Sequence, residues 1–556
     1  MDFGSNGWGF ESLRARHFGM RQTTNGERLT LAVLVVLSAI MRIGTFFRYR
    51  FDSDEPQHLH VAWGWTAGLL QYRDVFDNHA PLFHILTAPI LRIVGERPDV
   101  LLFMRVPMLL PFAAIVAGTF ILGRRLYAHH MAIWSAVLLT LFPVFFLKSI
   151  EYRTDNLWDA LWIIALLILT GGTPNAPRLF VFGLFLGTAL ATSLKTTLLL
   201  FTVAAAGAIT YAFCFPRRSA AEVVRSAASA LLGVIIVPAA IAAYFYERGG
   251  WKSLVYCVIE FNRMVVAVRS PVTLWLPRIA YIPLLLILLR VAWRYRGNRA
   301  TSAARFRFFF AVSCGFFVIT LSSFWILISP RDILPILPLL AIFLVAAIEH
   351  RSARPVVVYG AIAAVFCVAI VYYAEGFRNA TLEDITMMRQ VLGLTRPGEP
   401  VIDLKGETVF RPRPFYYILE YISRNAIRRG QLADTIAEDM VRTRCHVAQA
   451  DGEFFPPRGR AFLAANFLDV GRLRAAGQWI RADGSFSIAI PGTYVMVRQA
   501  GEAVGILDGT PYRGARALSP GFHRFVRAGK NDRVSCLWAP AFVRGYSPFH
   551  LRDRDF

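Results

Sequence analysis

The sequence predicts a polytopic α-helical membrane protein of about eleven spans, with a C-terminal soluble domain of α/β plus β-sandwich-like character. Three observations predict it. Of 556 residues, 55% are hydrophobic and the mean hydropathy is +0.46, more apolar surface than a soluble enzyme carries. Apolar segments close to the ~20 residues that a crossing helix needs recur along the first two thirds of the chain. After residue 375 the composition turns polar and no further apolar segment follows.

The formal charge of +23 raises the question of nucleic acid. The basic residues instead collect in short loops between apolar segments, where Lys and Arg hold loops in the cytoplasm, so a nucleic-acid partner is not expected. Only five of the 60 basic residues are lysines. Arg14, Arg16, Arg21 and Arg28 precede the first apolar segment without an evident cleavage site, so residues 1–27 read as a cytoplasmic tail.

The membrane domain is expected over 28–375. Residues 29–47 form the first span, and 49–100 the first outer loop. Within that loop 61–70 is interfacial, and 82–94 is too short to cross. Spans follow over 101–122, 131–146, 157–169, 179–194, 198–215, 227–246, 277–293, 308–328, 333–348 and 356–373. With 82–94 left out, the loops RRLYAHH, PRRSAAEVVR, RYRGNRATSAARFR and EHRSARP all fall inside; counting it as a span puts all four outside. The same arithmetic sends the acidic clusters to the outer face. It also makes 376–556 a non-cytoplasmic domain, split near 475. The first half of that domain mixes helical runs with short strands, and the second reads as strands punctuated by Pro-Gly and Asp-Gly turns. Cys445 and Cys536 would be able to pair there if the compartment is oxidising.

The stretch 51–84, FDSDEPQHLHVAWGWTAGLLQYRDVFDNHAPLFH, organises the chemistry. Asp52, Asp54, Glu55, His58, His60, Asp74, Asp77 and His79 crowd into it. Asp54 and Glu55 open the interfacial helix, where a carboxylate at a dry boundary can take a proton from a hydroxyl; Asp54 is the candidate base. A solvated loop is the plain alternative. In EYRTDNLWD, Asp155 and Asp159 are four apart on one helix face, with Arg153 beside them. Helix capping accounts equally for Asp155. Asp159, one turn into a span, is costly unless paired or functional. Lys195, Arg331, Lys252, Arg263 and Arg269 are the other cations of this face; they hold an anionic phosphate or merely snorkel. His58, His60 and His79 with neighbouring acids leave a divalent metal open, although a helix would point His58 and His60 about 200° apart.

Asp54-Glu55, Gly68, Tyr72-Arg73-Asp74, Ala80-Pro81-Leu82, Arg105-Val106-Pro107, Gly123-Arg124-Arg125-Leu126-Tyr127, Leu194-Lys195-Thr196 and Pro330-Arg331-Asp332 through Pro335 and Pro338 follow one another in a recognisable order. Over roughly 28–350 the chain resembles the GT-C class of polyprenyl-phosphate-sugar-dependent glycosyltransferases. Within it, the chain is similar to the branch of protein O-mannosyltransferases and the lipid A aminoarabinose transferase. One departure is plain: His79-Ala80-Pro81-Leu82 stands where the aminoarabinose branch has a lysine before Pro-Pro-Leu.

The resemblance implies transfer of a hexose or pentose from a polyprenyl phosphate to the hydroxyl of a glycan, lipid or protein. The reaction takes place at the outer face of the plasma (inner) membrane, with inversion. It makes Asp54 the base and suits Lys195 and Arg331 to the leaving phosphate; with the residues read above, Glu55 and Asp155 are further catalytic candidates and Arg153, His79, Asp77, Tyr72, Asp159 and His58 candidates for substrate. No cofactor is required, in keeping with the lack of a Gly-rich phosphate loop, and a divalent metal stays open. The alternative from another class is a transporter or lipid flippase with an outer sugar-binding module, which usually places charges near the bilayer midplane.

Overall fold

The computed structural model describes residues 24–550, apart from 215–218, 265–270, 296–300, 326, 451–453 and 529–532. The expected tail up to residue 23, Arg269, and much of the basic content of two loops expected to be cytoplasmic lie outside the described residues.

Helix α1 (Asn25–Arg48) starts at Thr24, whose hydroxyl accepts the Glu27 N–H at 3.2 Å. Two short helices follow, α2 (Asp54–Thr66) and α3 (Leu82–Val94), and neither is long enough to cross. Helices then cover the remaining segments expected to span, one of them in two pieces, from Val100–Leu126 to Pro355–Tyr373. Among the described residues, seven helices are long and apolar enough to cross a membrane by length and composition. His129–Leu141, Thr154–Thr170 and Ala176–Thr192 are shorter.

The segment expected to be one helix over 131–146 is broken. Pro143 lacks an N–H and disfavours helical geometry at Phe142, which is extended, so the chain restarts as Pro143–Lys148. Arg42 of α1 donates to the Thr140 and Phe146 carbonyls on either side of the break, at 3.3 and 3.2 Å. The break turns Lys148 and the residues after it toward the first loop. Elsewhere helices approach closely through glycine: a Cβ on Gly183 or Gly187 would meet the backbone of Ala220–Glu247 at 2.0 or 2.3 Å.

The C-terminal domain is built on two sheets around one core that runs from Met387 to Ala541. The larger has eight strands, with Val401–Ile402 parallel to Val447–Gln449 and antiparallel pairing elsewhere. Strand Leu473–Trp479 pairs with Val447–Gln449 and Phe467–Asp469 on one side and Ser535–Trp538 on the other, so one sheet runs through both halves. The second sheet has four strands, Ser485–Ile488, Gly521–Arg527, Gly505–Leu507 and Thr510–Tyr512. The Cys445–Cys536 pairing that the sequence leaves open is not formed: both are buried free thiols. Strand Leu473–Trp479 lies between the strand that follows Cys445 and the one that holds Cys536. Two strand spacings are about 10 Å, beyond a disulfide's reach.

This domain packs directly on the first loop. Val409 and Phe410 join Phe51, Leu59 and Tyr152 in one cluster, and Ile418 and Ile422 join Tyr72 and Phe76 in another. The Ala380 N–H donates to the Arg48 carbonyl at 2.8 Å, and Arg411 pairs with Glu96 at 3.0 Å.

Candidate functional site

The turn that leaves α1 is tied by its own acids. Glu55 accepts the Asp52 N–H at 2.9 Å, and Asp52 accepts the Asp54 N–H at 3.2 Å. Successive residues of α2 point about 100° apart, so Asp54 and Glu55 face different surroundings. Glu55 is fully buried, takes Arg105 in a two-armed pair at 2.6 and 2.9 Å, and accepts the Tyr152 N–H at 2.9 Å. Arg105 also donates to the Phe46, Tyr49 and Arg50 carbonyls. This knot joins the end of α1, the first loop, the second long helix and the segment before Arg153.

Asp52 and Asp54 face the other way, into a cluster of cations. Arg153, in extended backbone just ahead of Thr154–Thr170, forms ion pairs with both and reaches Asp155 at 3.2 Å. Arg331 contacts Asp52 at 2.8 Å and Asp54 at 3.4 Å, from the short 3-10 helix Pro330–Ile336 that Ser329 and Asp332 cap reciprocally. Lys195, at the gap between Ala176–Thr192 and Thr196–Cys214, contacts Asp155 at 3.0 Å and Asp332 at 2.6 Å. Lys148 lies 2.5 Å from Glu151 and 3.5 Å from Asp52. Lys405, from the C-terminal domain, pairs with Asp54 on the oxygen opposite Arg153 and Arg331.

Five cations and four aspartates thus share one centre at the end of the bundle beneath the C-terminal domain. Burial alone would raise the Asp52 and Asp54 carboxyls, but Arg153 and the other cations win: Asp52 falls to about 2, and Asp54 lies well below the usual carboxylate range. Burial pushes Glu151 up to about 7 and raises Glu420, which stands 3.9 Å from Lys405. Such a centre holds several charged groups in shared pairs, so it can take in a further anion by redistributing cations.

Beside it lies a second group. Asp77 is buried and accepts from His79 Nδ1 at 2.8 Å and from Gln71 at 2.7 Å. His84 Nε2 lies 3.0 Å from His58 Nδ1, and the His58 ring packs edge-on against His79 at 4.6 Å. Burial would lower His79, but Asp77 holds its proton and raises it. His60 points away, its Nδ1 2.7 Å from the Val409 carbonyl. Among the described residues no group of three or more His, Cys, Asp or Glu side chains is arranged to hold a metal ion.

No family model and no curated protein matches the chain. Among solved structures, ArnT from Cupriavidus metallidurans in the apo state superposes with a TM-score of 0.56. The identity is 13%, and 81% of this chain and 98% of that one are covered. ArnT bound to undecaprenyl phosphate superposes at 0.54 with 14% identity, over 80% and 97%. The fold is that of ArnT. At such identity the likeness establishes the GT-C fold, and the roles of residues rest on geometry alone.

On this ArnT fold, Asp54, Asp155, Arg153, Lys195 and Arg331 come together. Asp77, His79 and His58 form the adjoining group. Glu55 does not join them: every partner it has is structural. Tyr72 is also buried away, holding φ +72° and donating its hydroxyl to the His79 carbonyl at 2.7 Å. Asp159 is buried a turn beyond Asp155, and among the described residues neither of its oxygens has a hydrogen-bond partner. Lys252 and Arg263 are exposed. Sequence reasoning missed Lys148, Asp332, Glu420 and Lys405. Lysine rarity was a usable signal, since three of the five lysines converge here.

Proposed function

We propose that this protein is a glycosyltransferase of the outer membrane face, moving a sugar from a polyprenyl phosphate to an acceptor hydroxyl with inversion. One observation carries the reading: Asp52, Asp54 and Asp155 meet Arg153, Arg331 and Lys195 at one end of an ArnT-like bundle. The N-terminal tail is cytoplasmic in this reading, and 376–556 lies outside the plasma (inner) membrane.

The donor is a phosphodiester with one negative charge. The acceptor hydroxyl gives its proton to the Asp54 carboxylate while its oxygen bonds to the anomeric carbon. The bond from that carbon to the phosphate oxygen breaks, and its electron pair leaves with polyprenyl phosphate as a dianion. Negative charge on the phosphate therefore grows through the transition state, which is where fixed cations lower a barrier. Lys195, Arg331 and Arg153 are suited to it, with Asp155 positioning Arg153 and Lys195. His79, whose proton affinity Asp77 raises, adds a cation close to Asp54 when it is protonated. Glu55 orients the turn through Arg105 and touches no substrate.

The test is to incubate purified protein with a radiolabelled polyprenyl-phosphate sugar and a cell-envelope extract. Release of polyprenyl phosphate with label appearing on an acceptor supports the reading. Binding without any transfer, or movement of intact donor across vesicles, contradicts it.

A further inference from the structure

Both oxygens of Asp54 carry cations: Lys405 on one, Arg153 and Arg331 on the other. Three of the roughly four lone-pair sites of the carboxylate are thus taken and its charge is offset, which leaves it a weak base toward an incoming hydroxyl. If Asp54 is the base, one cation has to leave first. The three differ in how firmly they are held. Arg153 bridges Asp52, Asp54 and Asp155, and Arg331 bridges Asp52 and Asp54. Among the described residues Lys405 has Asp54 as its one close carboxylate. Ser53 Oγ lies at 3.4 Å and Glu420 at 3.9 Å, and burial pushes the Glu420 carboxyl toward its neutral form.

The backbone beneath Lys405, in contrast, is fixed. Asp403 accepts the Gly406 and Thr408 N–H groups at 3.0 and 2.9 Å, the Thr408 hydroxyl at 2.7 Å and Arg413 Nε at 2.6 Å. Gly406 has φ +94°, and a Cβ there would come within 2.9 Å of His60, so the loop sits flush on α2. A rigid loop thus presents a four-carbon stem whose rotatable bonds let the ammonium be redirected without moving the backbone.

We propose that Lys405 is an exchangeable counter-ion: it neutralises Asp54 in the empty site and moves to the donor phosphate when that arrives, freeing Asp54 to accept the proton. This rests on the glycosyl-transfer reading and adds to it that the C-terminal domain supplies a group acting on substrate. It also couples the two half-sites, because the base becomes competent only once the phosphate is bound. The same movement brings a cation to the phosphate as its charge grows from one to two.

The test is a double-mutant cycle read by binding of undecaprenyl phosphate to the full-length protein in detergent. Lys405→Met weakens binding by about tenfold to a hundredfold, the range for losing one charge-assisted contact. Asp54→Asn releases Lys405 together with Arg153 and Arg331, so it tightens binding several-fold more when Lys405 is present than in the Lys405→Met protein. In an Arg331→Gln background the tightening persists. Lys405→Gln replaces Lys405→Met if the latter does not fold. Equal effects of Asp54→Asn with and without Lys405 overturn the exchange while leaving the glycosyltransferase reading intact. Wild-type protein that binds no undecaprenyl phosphate overturns that reading itself.

Discussion

Asp54 and Glu55 are consecutive carboxylates on one helix, and they sit in two differently built regions. Around Glu55 the pairing is closed. One guanidinium, two backbone N–H groups and three carbonyls on the arginine account for the polar atoms, with no exposure at either side chain. Around Asp54 the pairing is shared: cations bridge several acids, acids take several cations, and the Asp54 side chain keeps 18% of its surface. A closed pair can only be broken, whereas a shared one can be rearranged. That difference, more than residue type, separates a structural carboxylate from one able to do chemistry.

The comparison is broken most forcefully at Glu55 and Arg105. Removing one partner leaves a buried, uncompensated charge, which typically costs about 3–5 kcal/mol. Glu55→Gln and Arg105→Met should each lower the unfolding temperature in detergent and cut the folded yield. A shift no larger than that of a surface substitution would make the knot dispensable.

At the shared centre the effects fall on turnover. In the proposed reaction Lys195→Ala and Arg331→Ala should each remove one charge-assisted contact to phosphate, about 1.5–3 kcal/mol or 10- to 150-fold in use of the donor. Acceptor affinity should stay nearly unchanged, and so should unfolding temperature. Altered stability with normal kinetics would mark them as snorkelling residues.

The smallest effect is a pH slope. His79 has its proton held by Asp77, so its folded pKa lies above the unfolded value of about 6.5. It therefore contributes stability that is complete below about pH 6.5 and is lost as pH rises through the folded value. Unfolding temperature measured from pH 6 upward should decline less in His79→Gln than in wild type. Identical slopes would show that His79 is neutral in the folded protein.

Most of the bundle was legible because a span is a local fact: length and apolarity suffice. The break after Leu141 was written in Pro143, yet a run of apolar residues on both sides hid it. Asp54, Arg153, Asp155, Lys195 and Arg331 were legible as charges at helix ends on one face. Lys405 was not, because it meets Asp54 across 351 positions and no local pattern records that contact. Nor does an adjacent acidic pair say which member turns inward; Arg105, fifty positions away, decides it. The cysteine pair stayed open for a related reason, since sharing a domain says nothing of the strand between them.

Asp54→Asn tests the central claim most directly. It keeps shape and removes proton acceptance, so release of polyprenyl phosphate per folded molecule should fall on the order of a hundredfold or more, with unfolding temperature close to wild type. Near-normal turnover in that variant would contradict the account and pass the role of base to Asp52 or Asp155.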